Sequence, residues 1–184
     1  MAAEENKSQS EASAWRSLDD TYFGFSTGMG RYRQDFTNVA GNKTTSGSSL
    51  DLNSIKFGVF GPEDRRYELS YSRFAFEYQN TPGRMYKVDG FDLDVLFPLR
   101  RNQFELIGNP VKPYVGVGGG YYSYEVVERK GYAINFAAGL VMPIERSFEL
   151  ELAFRPKLIR WEEKSGTSLQ DRNYSFNLGF IIRN

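Results

Sequence analysis

The chain has no histidine and no cysteine in its 184 residues. Those two absences remove Ser-His-Asp and Cys-His chemistry, histidine- or cysteine-ligated zinc, disulfides and thiolate nucleophiles. Net charge is also missing: 23 Lys and Arg balance 23 Asp and Glu. No global field therefore draws the protein to nucleic acid. No apolar run approaches the ~20 residues of a membrane-spanning helix. The opening Met1-Ala2-Ala3-Glu4-Glu5-Asn6-Lys7 is polar and lacks the apolar stretch of a signal peptide. The expectation is a mature form without its signal. It comprises a flexible polar segment over 1–18 and one folded unit over 19–184.

What the chain has in excess is aromatic residues: 12 Tyr, 15 Phe and 2 Trp. They fall in segments that alternate apolar and polar residues. In Phe148-Glu149-Leu150-Glu151-Leu152-Ala153-Phe154-Arg155 every even position is bulky and apolar. In Tyr174-Ser175-Phe176-Asn177-Leu178-Gly179-Phe180-Ile181-Ile182 the even positions carry that load again. Period two marks a strand with two unlike faces. The same pattern runs over 21–33, 50–60, 65–78, 85–99, 112–126, 132–142 and 147–161. Short turns are expected at Gly61-Pro62-Glu63-Asp64 and Pro143-Ile144-Glu145-Arg146, and longer polar loops at 34–49, 79–84 and 162–172. In the segment 65–78 the apolar phase shifts from Tyr67, Leu69 and Tyr71 to Phe74, Phe76 and Tyr78. A β-bulge or the start of a loop near Arg73 would account for it. Eight such segments with no helix between them predict an all-β fold, an eight-stranded antiparallel up-and-down barrel.

Function turns on which face is greasy. The minor face mixes glycine, serine and charges of both signs, which suits a narrow lumen better than a solvated exterior. Aromatics sit near segment ends, as in membrane–water girdles. Tyr22, Tyr67, Tyr114, Tyr132, Trp161 and Tyr174 are the expected interfacial set. The barrel is accordingly expected to be transmembrane, with Lys56, Glu68, Asp92, Asp94, Glu149, Glu151, Arg155 and Lys157 sharing its lumen as a paired charge network. Arg65, Arg66, Arg100 and Arg101 are expected as solvated anchors on the short-turn side.

Tyr114-Val115-Gly116-Val117-Gly118-Gly119-Gly120-Tyr121 and the last strand, Tyr174 to Phe180, resemble the small eight-stranded outer-membrane barrels, the OmpA transmembrane domain and OmpX-like proteins. That family usually ends on an aromatic residue, whereas here Phe180 is the last one. The resemblance implies a bacterial outer-membrane location and a monomer among outer-membrane lipids and lipopolysaccharide. It implies a non-enzymatic structural role, or an interaction of the surface loops with a ligand or host partner. A low-conductance pore and a soluble lipocalin-like lipid binder are the alternatives. No cofactor or metal is expected. The glycines at 116, 118 and 120 lack the spacing and the following helix of a dinucleotide loop. The carboxylate pairs Asp92/Asp94 and Glu149/Glu151 have cations nearby that would neutralise them.

Overall fold

The computed structural model describes residues 21–38, 41–79, 82–106, 108–124, 129–162 and 168–184; the expected polar segment over 1–18 lies outside them. The strands are β1 (Thr21–Asn38), β2 (Gly41–Phe60), β3 (Arg66–Tyr78), β4 (Met85–Pro98), a short β5 (Phe104–Leu106), β6 (Asn109–Tyr124), β7 (Arg129–Glu145), β8 (Phe148–Trp161) and β9 (Ser168–Arg183). All pairings are antiparallel between neighbours in sequence, save two. β1 pairs with β9, and β4 pairs with β6 across β5. Those two ladders close eight strands into a barrel, with β5 a small side hairpin on β6. Closure leaves no unpaired edge among the eight, the condition a sheet must meet in lipid.

The outer surface is apolar in a band. Phe23, Phe25 and Met29 of β1 point outward, as do Ile55 and Phe57 of β2, Leu69 of β3, and Phe91, Leu93 and Phe97 of β4. Val115 and Val117 of β6, Ile134 and Phe136 of β7, Leu152 of β8, and Phe176, Leu178 and Ile182 of β9 continue it. Charge resumes at one margin with Arg31, Arg73, Asp89, Lys130, Arg160 and Arg172. Five or so outward residues per strand at every second position make ~10-residue spans, the length a tilted membrane strand needs. The greasy face is thus outside. A lipocalin-like barrel would have it inside.

The turn expected at Pro143-Ile144-Glu145-Arg146 is confined to Arg146-Ser147, with Pro143 to Glu145 belonging to β7. Three further boundaries differ from the sequence reading. The expected loop 34–49 is instead a continuous two-stranded ribbon, paired Gln34↔Thr45 and Asp35↔Thr44 up to Asn38↔Gly41. Its Thr, Ser and Asn content is polar because the ribbon stands beyond the apolar band; its threonines still favour strand. Likewise 168–172 belongs to β9, opposite Arg160 to Leu158 and Thr37 to Arg33. Third, β3 has no bulge: its register with β4 is continuous from Arg66↔Leu96 to Glu77↔Met85. The extra residue is across the ladder in β2, where both registers skip at Leu52. The Thr27 hydroxyl donates to the Asp51 carbonyl there at 2.7 Å. Phe74 and Phe76 therefore keep the inward parity of Ser70 and Ser72. What changes along β3 is the character of the lumen.

Candidate functional site

Inward parity places two stacked layers in the barrel. The first is polar. β2, β3, β4 and β8 each point charged side chains at the axis: Lys56; Arg66 and Glu68; Asp92 and Asp94; Glu149, Glu151, Arg155 and Lys157. All are buried. Arg155 sits 2.8 Å from Glu68, 3.2 Å from Asp94 and 3.8 Å from Glu151. Lys56 pairs with Glu151 and lies 3.9 Å from Glu68. Arg66 reaches Glu151 at 3.3 Å. Tyr22 donates to Glu68 at 3.0 Å, and Tyr114 to Glu151 at 2.8 Å. One step along the axis, Lys157 pairs with Asp92 at 2.7 Å. Asp92 also accepts from Tyr122 at 2.5 Å and Asn135 at 2.7 Å. Glu149 stands apart, facing Arg183 of β9 at 3.1 Å. In the mid-lumen, the cations Lys56, Arg66, Arg155 and Lys157 meet the carboxylates Glu68, Asp92, Asp94 and Glu151, with Asp51 of β2 also buried and accepting from Asn177 at 2.8 Å, so burial leaves little net charge to solvate.

Glycine makes this layer possible. A Cβ on Gly118 would stand 2.0 Å from Asp94 Oδ1, and one on Gly120 2.2 Å from Asp92 Oδ1. The bare face of β6 is the space the β4 carboxylates occupy. Gly58 does the same for the Tyr22 ring, and Gly139 for the Tyr114 ring.

The second layer is aromatic and lies toward the β1–β2 ribbon. Tyr32, Phe74, Phe76, Val88, Tyr122, Tyr124, Ile159, Trp161 and Leu169 form one buried cluster. Tyr32 stacks on Phe76 with centroids 3.8 Å apart. In its midst is a carboxylate, Asp171, which accepts from Tyr32, from Trp161 Nε1 and from Gln34 at 3.0 Å. Burial pushes the Asp171 carboxyl up to about 6, even though hydrogen bonds from Tyr32, Trp161 and Gln34 pull it down.

Several expected positions are corrected here. Of the six aromatics expected at the interfaces, Tyr22, Tyr114 and Trp161 point inward and are buried; Tyr132 and Tyr174 point outward, and Tyr67 is half-buried. Arg66, expected as a solvated anchor, is buried beneath the Tyr114 ring at 4.6 Å. Asp171 was hidden by the assignment of 162–172 to a loop. One rule would have found all of them: the parity of a strand holds until a bulge changes it. Tyr22 shares parity with Gly24, Tyr114 with Gly116, Arg66 with Glu68, and Asp171 with Asn173. Expecting tyrosine and tryptophan to seek an interface set that parity aside.

A closed eight-stranded antiparallel barrel with a greasy exterior and a charged, filled interior is the architecture of the small outer-membrane β-barrels. No protein-family profile matches the chain, and no curated protein sequence does. Among solved structures, it is similar to Neisserial surface protein A (NspA), at 13% identity over 90% of this chain and 97% of that one, with a TM-score of 0.52. The N-terminal β-barrel domain of Pseudomonas aeruginosa OprF is 15% identical over 86% and 98%, with a TM-score of 0.41. Ail, the attachment invasion locus protein of Yersinia pestis, solved with the heparin analogue sucrose octasulfate, is 12% identical over 87% and 99%, with a TM-score of 0.28. At these identities the likeness is one of fold.

Proposed function

We propose that the protein is a non-enzymatic, non-conducting integral protein of a bacterial outer membrane that presents its strand ends for surface contact. The observation that carries this reading is the dryness of the lumen. Lys56, Glu68 and Glu151 in the polar layer, and Phe76 and Tyr122 in the aromatic one, are at most 1% exposed. An ion path would keep its lining charges wet. These instead spend their hydrogen-bonding capacity on one another, as in a plug that fixes register.

The contact surface is then the end bearing the β1–β2 ribbon, where β3 ends at Tyr78, β4 starts at Met85 and β8 ends at Trp161. The opposite end carries the tight Pro62–Asp64 and Arg146-Ser147 turns. In outer-membrane barrels short turns face the periplasm and longer excursions face outward. Lipopolysaccharide and outer-leaflet lipid would surround the band, and a surface ligand would meet the ribbon. The missing histidine and cysteine favour a non-catalytic role by removing the commonest nucleophile–base pairs. The test is an epitope inserted between Asn38 and Gly41, read by antibody on intact cells, together with recordings in planar bilayers. Surface labelling and a silent bilayer are expected. A buried epitope or regular single-channel steps would overturn the reading.

A further inference from the structure

At the tight-turn end, below the charged layer, the lumen widens into an open bowl of about 400 Å³. Its floor is Arg66. One arm of that guanidinium is used: Nη2 donates to Glu151 at 3.3 Å. The plane is held over the Tyr114 ring at 4.6 Å and near the Tyr22 ring at 5.8 Å. The other arm is open, because Nη1 is buried with no hydrogen-bond partner. Such a buried donor is unfavourable unless something meets it.

The rim adds cations. Arg100, Lys112, Arg146 and Arg183 line the bowl together with Arg66, against the acidic side chains Asp64 and Glu149 and the terminal residue Asn184. Asp64 is occupied by Arg100 at 3.2 Å, and Glu149 Oε1 by Arg183 at 3.1 Å. Arg66 is itself paired with Glu151, so among the described lining residues Lys112 and Arg146 are the cations with no carboxylate side chain of their own. One feature argues against a bare anion. Glu149 Oε2 is also buried without a partner. It would repel an oxyanion and welcome a donor.

We propose that this bowl binds a hydroxyl-bearing phosphate ester of the glycerol phosphate class. The phosphate meets Arg66 Nη1 with Lys112 and Arg146, and a hydroxyl donates to Glu149 Oε2. Convergent N–H donors suit a phosphate's several oxygens, and a fixed guanidinium suits it better than a mobile ammonium alone. The volume lies within the range of small-molecule sites. The same chemistry is offered by a free polyol phosphate and by a phosphatidylglycerol headgroup. The site is at the far end of the barrel from the proposed contact surface and does not depend on that surface.

The experiment is isothermal titration calorimetry of the full chain refolded in non-ionic detergent. The titrants are glycerol 3-phosphate, inorganic phosphate and micelles doped with phosphatidylglycerol. Glycerol 3-phosphate is expected to bind more tightly than inorganic phosphate. Affinity is expected to fall about tenfold or more in the Lys112→Gln/Arg146→Gln double variant, since charged hydrogen bonds are lost. Both positions are on the rim, and heat-dependent gel mobility confirms that the variant is folded. The preference over inorganic phosphate is expected to vanish in Glu149→Leu. Binding of the free ester assigns a soluble ligand, and binding of doped micelles alone assigns a lipid headgroup; either supports the site. No binding of either, affinity unchanged in the double variant, or inorganic phosphate binding as well as the ester would overturn it.

Discussion

Replacing Leu152 with arginine puts the outward orientation of the apolar face at risk. Leu152 lies on β8 between Leu140 of β7 and Leu178 of β9, and its side chain is 51% exposed. The outward positions of β8 run from Phe148 to Leu158. At about 3.3 Å per residue and a tilt of ~40°, that stretch is about 25 Å tall, the height of an outer-membrane barrel's apolar band. Leu152 stands ~10 Å above its lower margin, close to the middle. An arginine there is expected to cost about 2–3 kcal/mol in a bilayer, within the 2–4 kcal/mol found at the midplane. Were the same face in water, an already half-exposed leucine would be replaced within about 0.5 kcal/mol. Gln170→Arg, outward on β9 beyond the band, is the control, with an expected change near zero. The assay is urea unfolding from phosphatidylcholine vesicles followed by tryptophan fluorescence. The midpoint should fall for Leu152→Arg at constant slope and hold for Gln170→Arg. Equal midpoints for wild type and Leu152→Arg would refute the assignment of this face to lipid. Equal losses in both variants would refute the placement of the band.

Two further outcomes follow from the lumen. Arg155→Gln leaves Asp94 without its cation and Glu68 with Lys56 alone, at 3.9 Å, and should cost about 3–5 kcal/mol, as for one broken partner of a buried pair. Adding Glu68→Gln should recover part of that loss. Strictly additive effects in the same urea assay would mean that the two do not act as a pair. Asp171 should make stability depend on pH with an inverted sign. Its folded carboxyl titrates at about 6 against an ordinary value of 3.8. Between those two pH values the folded chain holds a proton that the unfolded chain has released. Stability is therefore full below about pH 4 and falls as pH rises through 6, by about 3 kcal/mol in all. Asp171→Asn should abolish that slope. A variant whose midpoints track wild type from pH 4 to 7 would show that the carboxylate is not desolvated by the aromatic layer.

The barrel itself was legible because its signal is redundant. Each of eight segments repeats the same two-residue period, and a lipid-facing band tolerates few polar interruptions. The lumen was legible where the chain is most alternating: Glu149, Glu151 and Arg155 on β8, Asp92 and Asp94 on β4. It was obscured where residue chemistry and strand parity disagreed. Tyr22, Tyr114 and Trp161 carry a polar atom on an apolar body, so they suit an interface; they suit equally a lumen in which that atom finds a carboxylate. Tyr22 finds Glu68, Tyr114 finds Glu151, and Trp161 finds Asp171. Which environment wins depends on what stands across the barrel, and that information lies 10 to 46 residues away in sequence. The ribbon at 34–49 was obscured for a different reason. Beyond the membrane both faces of a hairpin meet water, so the alternation that announces a strand fades although the backbone pairing continues.

The two layers divide the interior's work. A barrel of eight strands must fill its lumen, and filling it with aliphatic side chains alone would leave the inside as greasy as the outside. The sheet would then have no preference for which face meets lipid. Charged residues at the centre resolve this, because turning the sheet over would place Lys56, Glu68, Glu151 and Arg155 in hydrocarbon. Each charge in that layer has a partner on a different strand, so the ion pairs also penalise a one-residue slip of register, which would send every member outward. The aromatic layer can be apolar because it lies toward the ribbon end, at the level where the outer face already turns charged at Arg31, Arg160 and Arg172. The carboxylate in its midst, Asp171, is spent on orienting Tyr32 and Trp161. Orientation and register thus rest on the polar layer, and closure of the ribbon end on the aromatic one, which is why Arg155→Gln is expected to act on folding into the bilayer and Asp171→Asn on pH dependence.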